Sequence, residues 1–132
     1  MKFDIIKLKE KNFFKTELGF LLKLLSNKNC KFKNIREVYL TSVNKNKIKG
    51  WNMHSKFTTN LILISGKVNF YLSQNTKSFK KILIDSKIKK MIKIYPDTYF
   101  AFKGLEKENI FLSMSSGVHN KKEIKKVTFK GK

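Results

Sequence analysis

Short segments of strand periodicity recur along the chain, separated by turn residues, and this pattern constrains the fold more than any other feature. Lys2 to Leu8 alternates weakly, while Ile35 to Val43 is rich in β-branched and aromatic residues. Asn60 to Ser65 is a continuous apolar run, and Lys67 to Leu72 alternates after the intervening Gly66. Ser78 to Ile84, Lys90 to Ile94, Thr98 to Phe102 and Ile110 to Met114 continue the series. Asn44-Lys45-Asn46, Ser65-Gly66-Lys67, Ser73-Gln74-Asn75 and Lys103-Gly104 supply turn chemistry between them. Phe20 to Leu25 fits a strand or a short helical turn, because so short an apolar run carries no decisive period. About eight short strands at this spacing predict an all-β sandwich or small barrel rather than βαβ units. A chain of 132 residues suits a single domain with one core. Its lysine-rich end, residues 121–132, is expected as a basic tail or an edge strand.

A packed core is expected, since 41% of the residues are hydrophobic and 13% aromatic, too many for a disordered basic tail. No apolar run approaches the roughly 20 residues of a membrane helix, so no membrane partner is expected. Met1-Lys2-Phe3-Asp4 carries an early acid and no uninterrupted apolar stretch follows, which reads as a cytoplasmic protein. The single cysteine, Cys30, excludes an internal disulfide and a multi-cysteine zinc site.

Thirty basic against nine acidic residues give a formal charge of +21 and raise the question of a polyanionic partner. Arg36 is the one arginine among them, whereas proteins that read base edges favour arginine for its bidentate fork. Lys, Asn, Ile and Phe, all with A/T-rich codons, make up 66 residues, half of the chain. The lysines are spread along the whole length, not gathered on one tail or face. Genome composition therefore accounts for much of the excess, and nucleic acid is not the expected partner. A basic polyanion-binding protein stays open as an alternative. In either case the positive field attracts phosphorylated small molecules.

Phosphate-binding loops and the GxGxxG, GxSxG and HExxH patterns are all missing. Histidine chemistry is confined to His54 and to His119, which sits in a polar stretch. The informative segment runs from Arg36 to Gly66, within which Asn52-x-His54 is followed by four residues, Thr59, six residues and Gly66. This spacing resembles the first motif of the cupin superfamily, a jelly-roll barrel family with the pattern HxH, four residues, Glu, six residues, Gly. Lys49-Gly50-Trp51-Asn52 is similar to the Arg-Gly-x-His turn of the sugar-nucleotide branch. That branch is typified by dTDP-4-dehydrorhamnose 3,5-epimerase and the dTDP-sugar 3,4-ketoisomerases. Ile94 to Leu105 resembles the branch's later motif, Glu17 to Leu22 its early one, and Ser115 to Ile124 its closing segment.

The resemblance implies a single-domain jelly-roll cupin acting on a nucleotide-linked sugar. It also implies a homodimer paired through N-terminal strands, a job that Phe13-Phe14 and Phe20 to Leu25 would suit. The implied activity is epimerisation or isomerisation of a dTDP-linked 4-keto deoxysugar in deoxysugar or surface-polysaccharide synthesis. The branch's histidine falls at Asn52, its lysine at Thr59 and its early arginine at Leu18. An amide cannot act as a base. His54, two residues further and on the same strand face, then takes that role, with Asn52 assisting and Tyr99 a candidate acid. Arg36, Lys49 and Lys103 are candidate diphosphate contacts, and Trp51, Tyr39 and Tyr71 candidate sugar platforms. Trp51 and the tyrosines also read plainly as core or interface. One imidazole beside Asn52 and Thr59 gives too few donors for a tight Zn, Fe or Mn site, so neither metal nor other cofactor is expected. A catalytically silent cupin that binds a sugar or sugar nucleotide is the second reading.

Overall fold

The computed structural model describes residues 1–8, 13–22, 24, 35–88, 90–118, 120 and 122–129. Among them are twelve strands and no helix, and so none able to cross a membrane. The strands are β1 (Phe3–Lys7), β2 (Phe13–Thr16), β3 (Gly19–Leu22), β4 (Glu37–Ser42), β5 (Ile48–His54) and β6 (Thr59–Ser65). They continue as β7 (Lys67–Ser73), β8 (Lys80–Asp85), β9 (Lys90–Ile94), β10 (Tyr99–Gly104), β11 (Ile110–Ser115) and β12 (Ile124–Lys126). Two five-stranded sheets, β1-β9-β6-β11-β4 and β12-β5-β10-β7-β8, form a jelly roll, and β2 and β3 make a separate hairpin. All strand pairs are antiparallel.

The alternating side chains of the facing strands meet in one core. Leu61 and Leu63 of β6, Ile92 and Ile94 of β9 and Phe111 of β11 pack against Val68, Phe70, Leu72, Phe100 and Phe102 of the other sheet. Phe70 lies nearly parallel to Phe100 and Phe102 at 6.1 and 5.9 Å and takes Phe111 edge-on at 6.0 Å. Burying each such ring is worth about 1.5–3 kcal/mol, more than the 0–1 kcal/mol typical of an exposed ion pair. Lysine-rich surfaces are therefore compatible with a firm fold.

Both outer faces are partly covered as well. Ile62, Met91 and Met114 form a second cluster outside the first sheet, with Ile6, Leu8, Leu24 and Leu112 against it. Trp51, Tyr71 and Ala101 form a third outside the second sheet, beneath Val127 and Phe129. Burial on both faces is why β6 reads as a continuous apolar run instead of alternating. Phe20 to Leu22, ambiguous by period, is extended in β3, where Leu22 pairs with Phe13 and Leu21 with Phe14.

β5 bends where it passes β10: Asn52 pairs with Phe100 and Lys49 with Phe102, so the register shifts between them. Gly50 sits in this bulge at φ +122, and a Cβ there would lie 2.5 Å from the Cβ of Ala101. Only glycine meets both conditions, and the bulge aims the rest of β5 into the barrel mouth.

Candidate active site

Strand alternation directs Asn52 and His54 to the face that carries Phe100, with Trp51 and Met53 on the other. The His54 ring is stacked between Phe57 at 5.9 Å and Phe100 at 6.2 Å, at interplanar angles of 22° and 23°. Its Nδ1 lies 2.5 Å from Oε1 of Glu123, and the side chains of the pair are only 11% and 5% exposed. Glu123 arrives from the end of the chain, immediately before β12, whose Ile124 pairs with His54. The other carboxylate oxygen accepts the backbone N–H groups of Lys56 and Phe57, each at 3.2 Å. Its carbonyl accepts the N–H and hydroxyl of Ser55 at 3.2 and 3.1 Å. Every acceptor of Glu123 is thus engaged. A carboxylate only accepts, so Nδ1 is the nitrogen that donates, and in a neutral imidazole that leaves the lone pair on Nε2. Nε2 makes no hydrogen bond with a described residue.

The facing wall is built from β4, β11 and β6. Tyr39 and Thr41 pair with Ser113 and Phe111, and Thr59 pairs with Ser115, so all share the inner face. Lys49 crosses between the sheets and donates from Nζ to Thr41 Oγ1 at 3.2 Å. Arg36, with its side chain exposed, leads into β4 and is anchored by its N–H on the Ser115 carbonyl at 2.9 Å. The interior is therefore divided: apolar beside β7 and β9, polar where β4, β5 and β11 approach. His54, Asn52, Lys49 and Tyr39 belong to the polar half.

The remaining sequence candidates lie on the outer face of the second sheet, not with His54. Trp51 and Tyr71 are each 1% exposed. Phe129 covers both, its ring 5.1 Å from Trp51 and 4.8 Å from Tyr71, with Phe79 at the edge of the cluster. Burial pushes the Tyr71 phenol above its ordinary 10.0, outweighing the opposing hydrogen bond from Asn69. Tyr99 packs against the same cluster, and Lys103 shares this outer face by alternation along β10. The physical reason is the chain end: Val127 exchanges both backbone hydrogen bonds with Trp51, at 2.6 and 2.9 Å, and seals that face from solvent. His119 and Cys30 fall outside the described residues.

Glu123 was missed by sequence reasoning. Its one signal is a lone acid in the run Lys121-Lys122-Glu123-Ile124-Lys125-Lys126, where a solvated lysine face needs none. Among the described residues no three His, Cys, Asp or Glu side chains gather as metal ligands.

A jelly-roll barrel with a polar interior and a histidine held by a carboxylate is a cupin-type arrangement. Residues 1–129 match the family described as "FdtA: WxcM-like, C-terminal", and the chain belongs to that family. Solved structures share the fold. A dTDP sugar isomerase from Desulfovibrio desulfuricans G20 superposes with TM-score 0.85 at 15% identity, over 97% of this chain and 85% of that one. The 3,4-ketoisomerase QdtA from Thermoanaerobacterium thermosaccharolyticum, in complex with TDP, gives 0.79 at 20% identity over 92% and 85%. The Mycobacterium tuberculosis rmlC epimerase gives 0.81 at 12% identity over 95% and 68%. A search of the curated proteins finds no significant match.

Proposed function

We propose that this protein is a dTDP-sugar ketoisomerase or epimerase of deoxysugar biosynthesis and that His54 is its base. The observation that carries the reading is the His54–Glu123 pair, held between two phenylalanine rings inside the barrel of a chain from this family. The TDP and dTDP sugars named with several solved neighbours supply the substrate class. In the reaction, Nε2 of His54 removes the proton from a carbon next to the sugar ketone. The C–H electron pair becomes a C=C bond and the carbonyl oxygen becomes an enolate. For the isomer, the hydroxyl on the carbon that lost its proton gives its own proton to the former carbonyl oxygen and becomes the new ketone as His54 returns its proton to the former carbonyl carbon. For the epimer, water supplies a proton to the opposite face of the same carbon and His54 gives its proton up to solvent. Asn52 and Tyr39 are the donors closest by strand position to stabilise the oxyanion, and Glu123 stabilises the imidazolium that forms between the two transfers. The nucleotide diphosphate is met by Lys49 and Arg36 at the rim. We assign the reaction to the cytoplasm and the protein to a homodimer.

The test is deuterium uptake from D₂O into dTDP-4-keto-6-deoxyglucose, followed by NMR, with His54→Ala as control. Exchange at a ring carbon that vanishes in the variant is the expected result. Exchange that survives in the variant keeps the enzyme and discards the base. No exchange at enzyme concentrations matching the substrate leaves the binding-only cupin, the reading that Asn52 at the branch's histidine position favours.

A further inference from the structure

Glu123 fixes one atom of the His54 ring, and a ring held by one hydrogen bond is still free to swing about it. That freedom matters for a base, because the lone pair on Nε2 lies in the plane of the imidazole. The plane of His54 is set by the rings on its two sides, Phe57 at 22° and Phe100 at 23°. These two rings differ in how they are held. Phe100 belongs to β10, is 6% exposed and is itself stacked on Phe70 at 6.1 Å, so it is a fixed wall of the core. Phe57 is half-buried and lies in the turn between β5 and β6.

Phe57 meets the His54–Glu123 pair twice. Its ring stacks on His54, and its backbone N–H donates to Oε2 of Glu123 at 3.2 Å. Lys56 supplies a second such N–H from an exposed position, so the ring is the part that Phe57 contributes alone. The seat of that ring comes from the segment after β11. Thr58 accepts the Ser116 N–H on its carbonyl at 3.0 Å and donates its own N–H to Ser116 Oγ at 2.9 Å. This double staple sets Gly117 beside Phe57. Gly117 is buried, and a Cβ on it would run into Cδ1, Cε1 and Cζ of the Phe57 ring. Its φ is not in the left-handed region, so the demand for glycine comes from the ring and not from the backbone.

We infer that Phe57 is a positioning residue for His54 and that Gly117 is the notch that seats it. The Phe57 ring closes the imidazole against Phe100, fixes its plane and so aims Nε2. The kinetic consequence rests on the reading of His54 as the base; the fixed ring plane does not. A misaimed base costs rate more than it costs binding, since the ground state makes no use of the lone pair's direction.

The experiment compares the wild type with Phe57→Leu, Gly117→Ala and the double variant. Leucine keeps the apolar bulk but lacks a flat face, and alanine at 117 pushes the ring off its seat. The first readout is the ¹H–¹⁵N spectrum of the neutral His54 imidazole without ligand, assigned with His54→Ala. One Nδ1–H tautomer is expected in the wild type and a mixture of both tautomers in each variant. The second is turnover of dTDP-4-keto-6-deoxyglucose, with kcat about 10-fold lower in each single variant and KM within about twofold. Because Gly117 acts through the Phe57 ring, the double variant should match Phe57→Leu, whereas independent effects would multiply to about 100-fold. Thermal melts separate a packing role: variants that melt lower yet keep the wild-type imidazole spectrum and kcat overturn the inference. Losses that multiply in the double variant overturn the role of Gly117. A wild type without turnover, but with an imidazole spectrum that changes in the variants, overturns the isomerase reading and keeps the positioning role.

Discussion

A neutral imidazole can carry its proton on either ring nitrogen, and in His54 Glu123 removes that freedom. The same geometry makes a sharp prediction for Glu123→Gln. The two backbone N–H groups of Lys56 and Phe57 require an acceptor, so the amide oxygen takes the place of Oε2 and the NH₂ turns toward His54. Nδ1 then accepts, the proton moves to Nε2, and the base is lost with little change of shape. We expect kcat to fall about 10²- to 10⁴-fold with KM nearly unchanged. Steady-state kinetics at neutral pH reads it, and a kcat within twofold of the wild type sinks the tautomer account. At this scale the sequence singles out His54 as a candidate, being one of two histidines and two positions from the family site. Glu123 was not, because 69 residues separate it from His54 and no local pattern spans that distance.

Among the elements, β12 and the residues that follow join the two halves of the second sheet's chemistry. At its start the segment sets Glu123 against His54, and further on Val127 and Phe129 lock onto Trp51 and Tyr71. Phe129→Ala should therefore destabilise the protein by about 1–3 kcal/mol, seen as a lower urea midpoint with an unchanged m-value. A variant with the wild-type midpoint would show that the outer cluster is held without this ring. Sequence alone marked residues 121–132 as basic, which is a property of the exposed lysines and says nothing of the apolar positions between them. It also found β7 from its alternation, β6 as a continuous apolar run, and β9, β10 and β11 as short apolar segments between turn residues. β5 was reached only through the family motif, since Lys49, Gly50 and Asn52 interrupt any apolar alternation.

For the whole molecule, a charge of +21 opposes self-association, yet the surface carries apolar ground that invites it. Leu18, Phe20 and Leu21 of the β2–β3 hairpin are 95%, 65% and 52% exposed, and Val38, Leu40 and Ile64 outside the first sheet 55%, 64% and 50%. A cavity of about 200 Å³ lies between them, lined by Leu8, Phe20, Leu22, Leu24, Ile62 and Ile64. Sedimentation should give twice the 15.5 kDa of the chain, more completely at high salt as lysine repulsion is screened. Leu40→Lys with Ile64→Lys should leave a folded monomer, and a wild type of 15.5 kDa at every salt concentration would dispose of the homodimer. What the sequence determined by itself was the period of two, the all-β class and the common facing of Asn52 and His54, because these follow from local backbone geometry. Which of the two faces is the interior was decided only by tertiary structure. Both faces of β5 are covered, one by the facing sheet and one by the chain end. Only long-range pairing with β10 and β12 tells the face that holds the His54–Glu123 pair from a sealed aromatic seam.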